Sequence, residues 1–257
     1  MCPYKNFSYV YDVFMRDVPY NKWFLYIKKI LDKYNYSPKT VLDMACGTGN
    51  MSIKLFEENF DVIGVDMSPD MLSVARAKAD KINSNILFLN QDMRDLDLYG
   101  TVDLTICLFD SLNYILEINE LTDIFRRVNN FLNPGGLFIF DLNTEYKFEK
   151  ILSGNTFSDY TEDGVCIWES TYDSNAKICE YYTNFFIKEE DQKYLRFEEL
   201  HYEKSYTIDE IIHAATKSGM QFLEVYDAFT FDKPKKDSER LYFVLKRKEK
   251  GNNEKGN

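Results

Sequence analysis

Residues 41–49 (VLDMACGTG) form the stretch of this chain whose residue types are best suited to chemistry. A hydrophobic strand leads into Asp43, and a loop containing Gly47 and Gly49 follows it. Glycines let the backbone approach a ligand closely at the end of a parallel strand, where a helix begins. This order therefore predicts a site for a nucleotide-type cofactor, and the identity of that cofactor decides the function.

Two classes of cofactor use this geometry, and charge separates them. A dinucleotide favours a third glycine, but Ser52 stands at that position, and a pyrophosphate would lie beside Asp43 as a like charge. S-adenosylmethionine carries no phosphate, and both its sulfonium and its ammonium group would be attracted to that carboxylate. The residues therefore favour S-adenosylmethionine over NAD.

Three further loops are expected beside the glycine loop, because ligands bind outside the carboxyl ends of parallel strands. They contain Asp66 and Met67, Asp92 and Met93, and residues 109–114 (FDSLNY). Asp66 lies 23 residues after Asp43, a spacing that suits a carboxylate accepting both hydroxyls of a ribose. Alternatively, Asp66 is a helix-capping or turn residue, and the two methionines belong to the core.

The hydrophobic pattern predicts the elements that position these loops. Strands are predicted at 40–44, 61–65, 86–89, 102–108, 137–140, 222–226 and 240–245, and helices at 50–58, 68–81, 117–131 and 207–218. Strands that alternate with helices indicate an α/β fold with a doubly wound, mostly parallel sheet of seven strands.

Residues 146–204 break this rhythm, because apolar and polar residues alternate with period two in much of the segment. The alternation predicts an inserted antiparallel cap of about three strands, which would either cover the site or form a dimer interface. An N-terminal helical lid is expected at 1–37, split into two helices near Pro19. The core would then comprise residues 38–145 and 205–248, and a disordered tail would occupy 249–257.

The composition limits the kinds of partner and the cellular compartment that we expect for this protein. The net charge of −11 disfavours nucleic acid, although basic residues cluster at 233–250, where a solvated strand edge and a frayed tail are the simpler interpretation. The chain has five cysteines, an odd number without a C-x-x-C pair, which predicts free thiols in a reducing cytoplasm. We expect no membrane span, no signal peptide and no metal site.

Several segments resemble the motifs of one family. They are 43–49 (DMACGTG), similar to motif I of the class I S-adenosylmethionine-dependent methyltransferases; 64–72 (GVDMSPDML), similar to their second motif; 91–96 (QDMRDL), similar to the segment beside adenine; and 133–141 (NPGGLFIFD), similar to the turn into strand five. The resemblance that they carry extends over about residues 38–142. Residues 7–12 (FSYVYD) and 201–203 (HYE) resemble small-molecule members, including sugar N,N-dimethyltransferases.

This resemblance implies a Rossmann-like fold with S-adenosylmethionine as methyl donor and S-adenosylhomocysteine as product. The cofactor-binding residues that it implies are Asp43, Ala45, Gly47, Gly49, Asn50, Asp66, Met67, Asp92, Met93, Phe109 and Tyr20. Asp66 would bind the ribose, and Asp92 would accept from the adenine amino group. Tyr11 and Tyr20 would belong to a lid, or would be ordinary packing aromatics.

Methyl transfer from a sulfonium needs alignment and exclusion of water more than acid catalysis. The candidates for positioning the acceptor or acting as a base are Tyr114, Tyr11 and Asp110, with Asn113 and His201 expected to face the acceptor. Alternatively, Tyr114 is a packing residue at the start of the following helix. Residues 109–114 also lack an N-P-P-Y sequence, which marks many enzymes that methylate planar nitrogens.

The sequence therefore predicts a cytoplasmic methyltransferase that acts on nitrogen or oxygen of a small molecule. Three alternatives stay open: a tRNA or protein methyltransferase, supported by the basic C-terminal cluster; a catalytically silent S-adenosylmethionine-binding module; and, with least support, a dinucleotide oxidoreductase. The assembly would be a monomer or a homodimer, and the sequence does not distinguish them.

Overall fold

Two sheets of different kinds organise the chain in a computed structural model, which describes residues 8–16, 18–189 and 193–249. The strands are β1 (Thr40–Met44), β2 (Asp61–Asp66), β3 (Leu87–Asn90), β4 (Val102–Cys107), β5 (Leu132–Asn143), β6 (Thr156–Tyr160), β7 (Gly164–Asp173), β8 (Ile178–Lys188), β9 (Tyr194–Lys204), β10 (Gln221–Asp227) and β11 (Arg240–Lys246). The helices are α1 (Ser8–Phe14), α2 (Tyr20–Lys33), α3 (Asn50–Glu57), α4 (Pro69–Lys81), α5 (Ile118–Phe131) and α6 (Ile208–Lys217). Short 3₁₀ turns lie at Met93–Asp95 and Ser111–Tyr114, and a π-helical turn lies at Lys147–Leu152.

The larger sheet has seven strands in the order β10-β11-β5-β4-β1-β2-β3. The five strands from β5 to β3 are parallel, whereas β11 pairs antiparallel with β5 and β10 antiparallel with β11. This arrangement confirms the predicted fold class. The parallel pairing brings the carboxyl ends of β1, β2, β3 and β4 to one edge, where the loops that carry the candidate residues meet.

Helices cover the two faces of this sheet, as the alternating pattern requires. On one face, α2 and α3 contribute Phe24, Ile27 and Leu55 to a hydrophobic cluster. On the other face, α5 and α6 contribute Phe125 and Ile211 to a second cluster. In the described part of the chain, no helix has the length and the apolar composition needed to cross a bilayer.

The cap between β5 and α6 is a four-stranded antiparallel sheet in the order β6-β7-β8-β9. The sequence predicted about three strands; the additional strand is β6, which has only five residues and forms a hairpin with β7. In register, Trp168 lies opposite Thr183, and His201 lies opposite Tyr181. Side chains alternate between the two faces of a strand, so one face of the cap is available to the parallel sheet's edge.

The first helices divide near Pro19, as the sequence predicted. Tyr11 and Phe14 of α1 pack against a small buried cluster that contains Met71 of α4 and Phe185 of β8. The helix α1 therefore lies between the parallel-sheet domain and the cap. The rest of the predicted lid at residues 1–7 and the tail at 250–257 lie outside the described residues.

Helix α6, which returns the chain from the cap to the core, begins with a capping box. The Thr207 hydroxyl accepts from the Glu210 amide at 3.2 Å, and the Thr207 amide donates to the Glu210 carboxylate at 2.7 Å. We expect Thr207→Ala to lower the free energy of unfolding by about 1 kcal/mol in urea titration, because an amide at the helix start loses its acceptor. Thr207→Ser is the matched control and should retain most of the stability; equal losses in both variants would contradict the role of the cap.

Candidate active site

A cavity of about 840 Å³ lies at the carboxyl ends of the parallel strands, between the core, α1, α2 and the cap. Most residues that the sequence singled out line it: Tyr11, Tyr20, Asp43, Ala45, Gly47, Asn50, Asp66, Met67, Asp92, Met93, Phe109, Asp110, Tyr114 and His201. Gly49 and Asn113 do not line it. The structure therefore brings together side chains from four loops, two N-terminal helices and the inserted sheet.

The glycine loop presents bare backbone to this cavity. Gly47 has a φ of +54°, and a Cβ built on it meets nothing within 4 Å. Gly49 has a different task, because its φ is +77° and a Cβ there would lie 2.9 Å from the Cβ of Ala75 on α4. Gly49 thus permits the close packing of the loop on α4, whereas Gly47 leaves room for a ligand.

Asp43 is a buried carboxyl in the wall of the cavity, with 3% of its surface exposed. The Ser52 hydroxyl donates to it at 2.6 Å, but no Lys, Arg or His nitrogen of the described residues lies within 4 Å. Burial raises the pKa of Asp43 to about 7, against the hydrogen bond from Ser52 and with a further contribution from Asp66. A buried carboxyl without a counter-ion suits the cationic part of a ligand.

Asp66, at the end of β2, is held by two backbone amides. Gly47 N–H donates to one carboxylate oxygen and Ser68 N–H to the other, each at 2.8 Å. Burial nevertheless raises the pKa of Asp66 above its ordinary value. Each carboxylate oxygen can accept more than one hydrogen bond, so both keep acceptor capacity for ligand hydroxyls. Next to it, Met67 is 44% exposed and lines the cavity, unlike a core methionine.

Asp92 forms a two-pronged ion pair with Arg94, whose Nε and Nη2 donate at 3.0 and 2.6 Å. Burial disfavours the charged carboxylate, but the hydrogen bonds from Arg94 outweigh it and lower the pKa of Asp92. Asp92 therefore carries a negative charge at neutral pH. A ligand amino group would share this carboxylate with Arg94, which also lines the cavity.

Helix α1 is tied to the glycine loop through Asp12, a residue that the sequence reasoning did not single out. Its carboxylate accepts from Thr48 Oγ1 at 2.6 Å, from Asn50 Nδ2 at 3.0 Å and from Lys78 Nζ at 2.8 Å. Asn50 Nδ2 also donates to the Tyr20 hydroxyl at 3.0 Å. One cluster of polar contacts thus joins α1, α2, the glycine loop and α4 around one end of the cavity.

The loop after β4 contains two successive residues in the left-handed region, Phe109 with φ +59° and Asp110 with φ +55°. Their amides donate to the two oxygens of buried Asp141, at 2.8 and 3.0 Å. Arg240 pairs with Asp110 at 2.7 Å and also with Asp141. Non-glycine residues in this conformation are strained and keep it only when their surroundings stabilise it. Here the hydrogen bonds to the Asp141 carboxylate and the ion pairs of Arg240 stabilise the loop in this conformation.

Asp110 is therefore a positioned carboxylate. Burial raises its pKa, but Arg240, Lys147 and a hydrogen bond from Asn143 Nδ2 at 2.9 Å outweigh this effect and lower the pKa below its ordinary value. A carboxylate that is held charged by an arginine is a weak proton acceptor. The geometry favours a positioning role for Asp110 over the base role that the sequence left open.

The structure places Asn113 outside the lining of the cavity. Its Nδ2 donates to the carbonyl oxygens of Asn143 and Lys204, at 3.2 and 2.8 Å, and its Oδ1 accepts from the Asn143 amide at 3.0 Å. These bonds tie the β4 loop to the ends of β5 and β9, so Asn113 supports the wall from behind. A contact with the acceptor, expected from sequence, does not fit this placement, because a loop asparagine cannot be assigned a face without its neighbours.

Tyr114 and His201 face each other edge-on across the cavity wall, with ring centroids 5.9 Å apart. His201 Nε2 lies 3.0 Å from a carboxylate oxygen of Glu199 on the same strand. This contact fixes the ring orientation of His201 in the cap. The two residues thus connect the β4 loop with β9 above it.

Besides Arg94, two further charged residues that line the cavity, Glu203 and Arg240, were not among the site residues predicted from sequence. Glu203 lies two residues after His201 on β9, so the same alternation that places His201 at the cavity also places Glu203 there. Arg240 was grouped with the basic C-terminal residues, but it lines the cavity. Within the described residues this basic group is divided, because Lys235 lies near Asp227 and Lys246 pairs with Glu249.

Comparisons with known proteins show which family the chain resembles. Residues 41–136 match the family model described as a methyltransferase domain. A protein of Geobacillus sp. (strain WCH70) that is named as a methyltransferase is 36% identical over 245 residues, which cover 95% of this chain and 99% of the relative.

Solved structures resemble the whole chain. A crystal structure of a S-adenosylmethionine-dependent methyltransferase from Clostridium acetobutylicum is 31% identical with a TM-score of 0.85, and the match covers 95% of this chain and 99% of that one. The sugar N-methyltransferase KedS8 from Streptoalloteichus sp. is 22% identical with a TM-score of 0.79 and 93% coverage of each chain. At that identity the second likeness is one of fold.

The Arg240 network predicts a marked effect on stability. We expect Arg240→Met to lower the free energy of unfolding by about 3–5 kcal/mol, because Asp110 and Asp141 would lose their buried counter-ion. In Arg240→Met with Asp141→Asn, the loss should be smaller than the sum of the two single losses. Urea denaturation measures both quantities.

Lys235→Met is the matched control, because it removes a cation from an exposed pair with Asp227 and should cost about 0–1 kcal/mol. Additive losses in the double variant would show that Arg240 and Asp141 act independently, contrary to the geometry.

Proposed function

The chain belongs to the class I S-adenosylmethionine-dependent methyltransferases, and from that premise we propose that it methylates a nitrogen or oxygen atom of a small molecule. The observation that carries this proposal is the position of the cap, whose β7, β8 and β9 supply Trp168, Tyr181 and His201 to the wall of the same cavity that Gly47 lines. A cavity walled in this way suits an acceptor that enters as a whole molecule.

The residues of the glycine-loop end fit the cofactor. Asp43 would bind the cationic amino acid end, because it is a buried carboxyl without a counter-ion, and the bare backbone at Gly47 would lie against the same end. Asp66 would accept the ribose hydroxyls, and Met67 and Asp92 would contact the adenine. S-adenosylmethionine supplies a methyl group on a positively charged sulfur, which leaves as a neutral thioether.

The residues around the acceptor space then have two tasks, alignment and exclusion of water. Phe109 packs on Trp23 with ring centroids 4.2 Å apart and on Tyr20 at 5.2 Å, so aromatic rings form one wall. We assign positioning of the acceptor to Tyr114 and Tyr11, and contact with it to His201. Asp110 would hold Arg240 in place beside them.

A macromolecular acceptor has less support. The basic C-terminal residues are divided between ion pairs and the cavity, so in the described residues they do not form the continuous face that a phosphate backbone would need. The net charge of −11 also opposes association with nucleic acid.

Calorimetric titration and a labelling assay test the proposal. We expect S-adenosylhomocysteine to bind and NAD to show no binding. With methyl-labelled S-adenosylmethionine and a cell extract, we expect the label in a small molecule of the ultrafiltrate that chromatography separates from S-adenosylmethionine, and not in a parallel reaction without the protein. Label confined to tRNA or to protein would contradict the small-molecule proposal, and binding without any transfer would favour the silent module.

The ribose assignment predicts a loss of cofactor affinity on changing Asp66. Asp66→Ala should weaken binding of S-adenosylhomocysteine by about 1–3 kcal/mol, the cost of leaving charged hydrogen bonds unmade. Titration calorimetry measures the change. Asp61→Ala, at the exposed start of the same strand, is the control and should bind as the wild type does; an unchanged affinity in Asp66→Ala would refute the assignment.

Asp43 predicts that cofactor binding depends on pH. Its pKa of about 7 in the free protein should fall when an ammonium group lies beside it, since a nearby cation favours the ionised carboxyl. Binding below pH 7 should therefore release a proton, and the affinity for S-adenosylhomocysteine should rise with pH up to about 7 and then level off.

Calorimetry in two buffers with different ionisation enthalpies measures the released proton directly. Asp43→Asn should bind more weakly and without this pH dependence. A wild-type affinity that is constant from pH 5.5 to 8 would rule out the assignment of Asp43.

A further inference from the structure

Glu203 is a buried carboxyl that faces the acceptor end of the cavity. It lies on β9, with 4% of its surface exposed, and it lines the cavity with His201 and with Tyr181 of the neighbouring strand. Its closest hydrogen-bond donor is Asn143 Nδ2, at 3.4 Å, and that group also donates to Asp110 at the shorter distance of 2.9 Å. Glu203 is therefore weakly bound by its surroundings.

Among the described residues, no Lys, Arg or His nitrogen lies within 4 Å of the Glu203 carboxylate, although Lys147 and Arg240 are close enough to favour its charged form. Arg240 is occupied by Asp110 and Asp141, and Lys147 Nζ donates to Asn143 Oδ1 at 2.9 Å. The ionisable groups that face Glu203 are Asp110 of the β4 loop, Lys147 of the π-helical turn, Arg240 of β11, and Cys179 and Tyr181 of β8. Burial, with repulsion from Asp110, raises the pKa of Glu203 well above its ordinary value.

We propose that Glu203 binds the acceptor nitrogen and takes a proton from it, so that the acceptor is a small molecule with a protonatable amine. This inference rests on the proposed function. The amine enters as an ammonium ion and transfers one N–H proton to the Glu203 carboxylate. The freed lone pair forms a bond to the methyl carbon while the carbon–sulfur bond breaks and its electron pair stays on sulfur. The product is the N-methylated ammonium, and Glu203 returns its proton to solvent.

Matching of proton affinities favours an amine over a hydroxyl. An alkyl ammonium has a pKa near that of lysine, about 10.4, so a carboxylate whose pKa is raised by burial can accept its proton at modest cost. An aliphatic hydroxyl has a pKa closer to that of water, about 15.7, which is far above any carboxylate. A phenol titrates near 10, but it enters without a positive charge. Two nearby carboxylates, Asp110 and Glu203, also suit a cation better than a neutral oxygen.

The test uses sinefungin, an analogue of S-adenosylmethionine in which a carbon replaces the sulfur and an amine replaces the transferable methyl group, with S-adenosylhomocysteine as the reference ligand. Titration calorimetry on the full chain gives the ratio of the two affinities. We expect Glu203→Gln to reduce the preference for sinefungin at least about tenfold, with the affinity for S-adenosylhomocysteine nearly unchanged. Glu198→Gln, on the exposed face of the same strand, is the matched control and should keep the wild-type ratio.

The number of protons exchanged on binding gives a second readout. In the wild type, sinefungin should release more protons than S-adenosylhomocysteine does at pH 6.5, because the ammonium ionises Glu203, and Glu203→Gln should abolish the difference. An unchanged affinity ratio and proton count in Glu203→Gln, with both ligands bound, would overturn the inference. Failure of the wild type to bind either ligand would instead overturn the proposed function, and this inference with it.

Discussion

The wall of the cavity formed by the β4 loop depends on one buried carboxylate, Asp141. Its two oxygens hold the successive amides of Phe109 and Asp110 in the left-handed region, and Arg240 neutralises its charge. Without such a partner, two strained non-glycine residues would relax to ordinary backbone angles, and the loop would move. Burial raises the pKa of Asp141 to about 6 even with Arg240 in place. The ion pair with Arg240 needs the ionised carboxyl, so it is strongest above that pH.

The same network extends to the cap. Asn143 lies two residues after Asp141 on β5, and its Nδ2 contacts both Asp110 and Glu203. Asn113 then joins the β4 loop to the backbone at the ends of β5 and β9. The inserted sheet is thus attached to the edge of the parallel sheet by polar contacts at its last strand, β9. These contacts fix the position of the cap relative to the β4 loop.

The side of the cavity around the glycine loop was accessible from sequence because its signals are local. The glycine loop, Asp66 and Asp92 each follow a strand whose bounds the hydrophobic pattern predicted within a few residues, and the parallel topology then brings them together. The same holds for the capping box at Thr207, which is a four-residue pattern.

The wall of the cavity formed by the β4 loop and the cap was less accessible because its contacts are long-range. Arg240 reaches Asp110 from a strand 130 residues later, and no local pattern separates it from the surface lysines around it. Glu203 could have been found by extending the alternation from His201, but the number and pairing of the cap strands decide which face points inward. The sequence led us to expect Asn113 on the cavity side of its loop, because its partners Asn143 and Lys204 are distant in the chain and no local pattern indicates them.

The contacts of Asp12 couple the position of α1 to that of the glycine loop. Its carboxylate joins α1 to Thr48 of that loop, to Asn50 at the start of α3 and to Lys78 of α4, so α1 cannot move away from the cavity without breaking three hydrogen bonds. Local unfolding of this first helix would therefore disturb the loop as well, and the two segments are expected to show similar protection from hydrogen exchange.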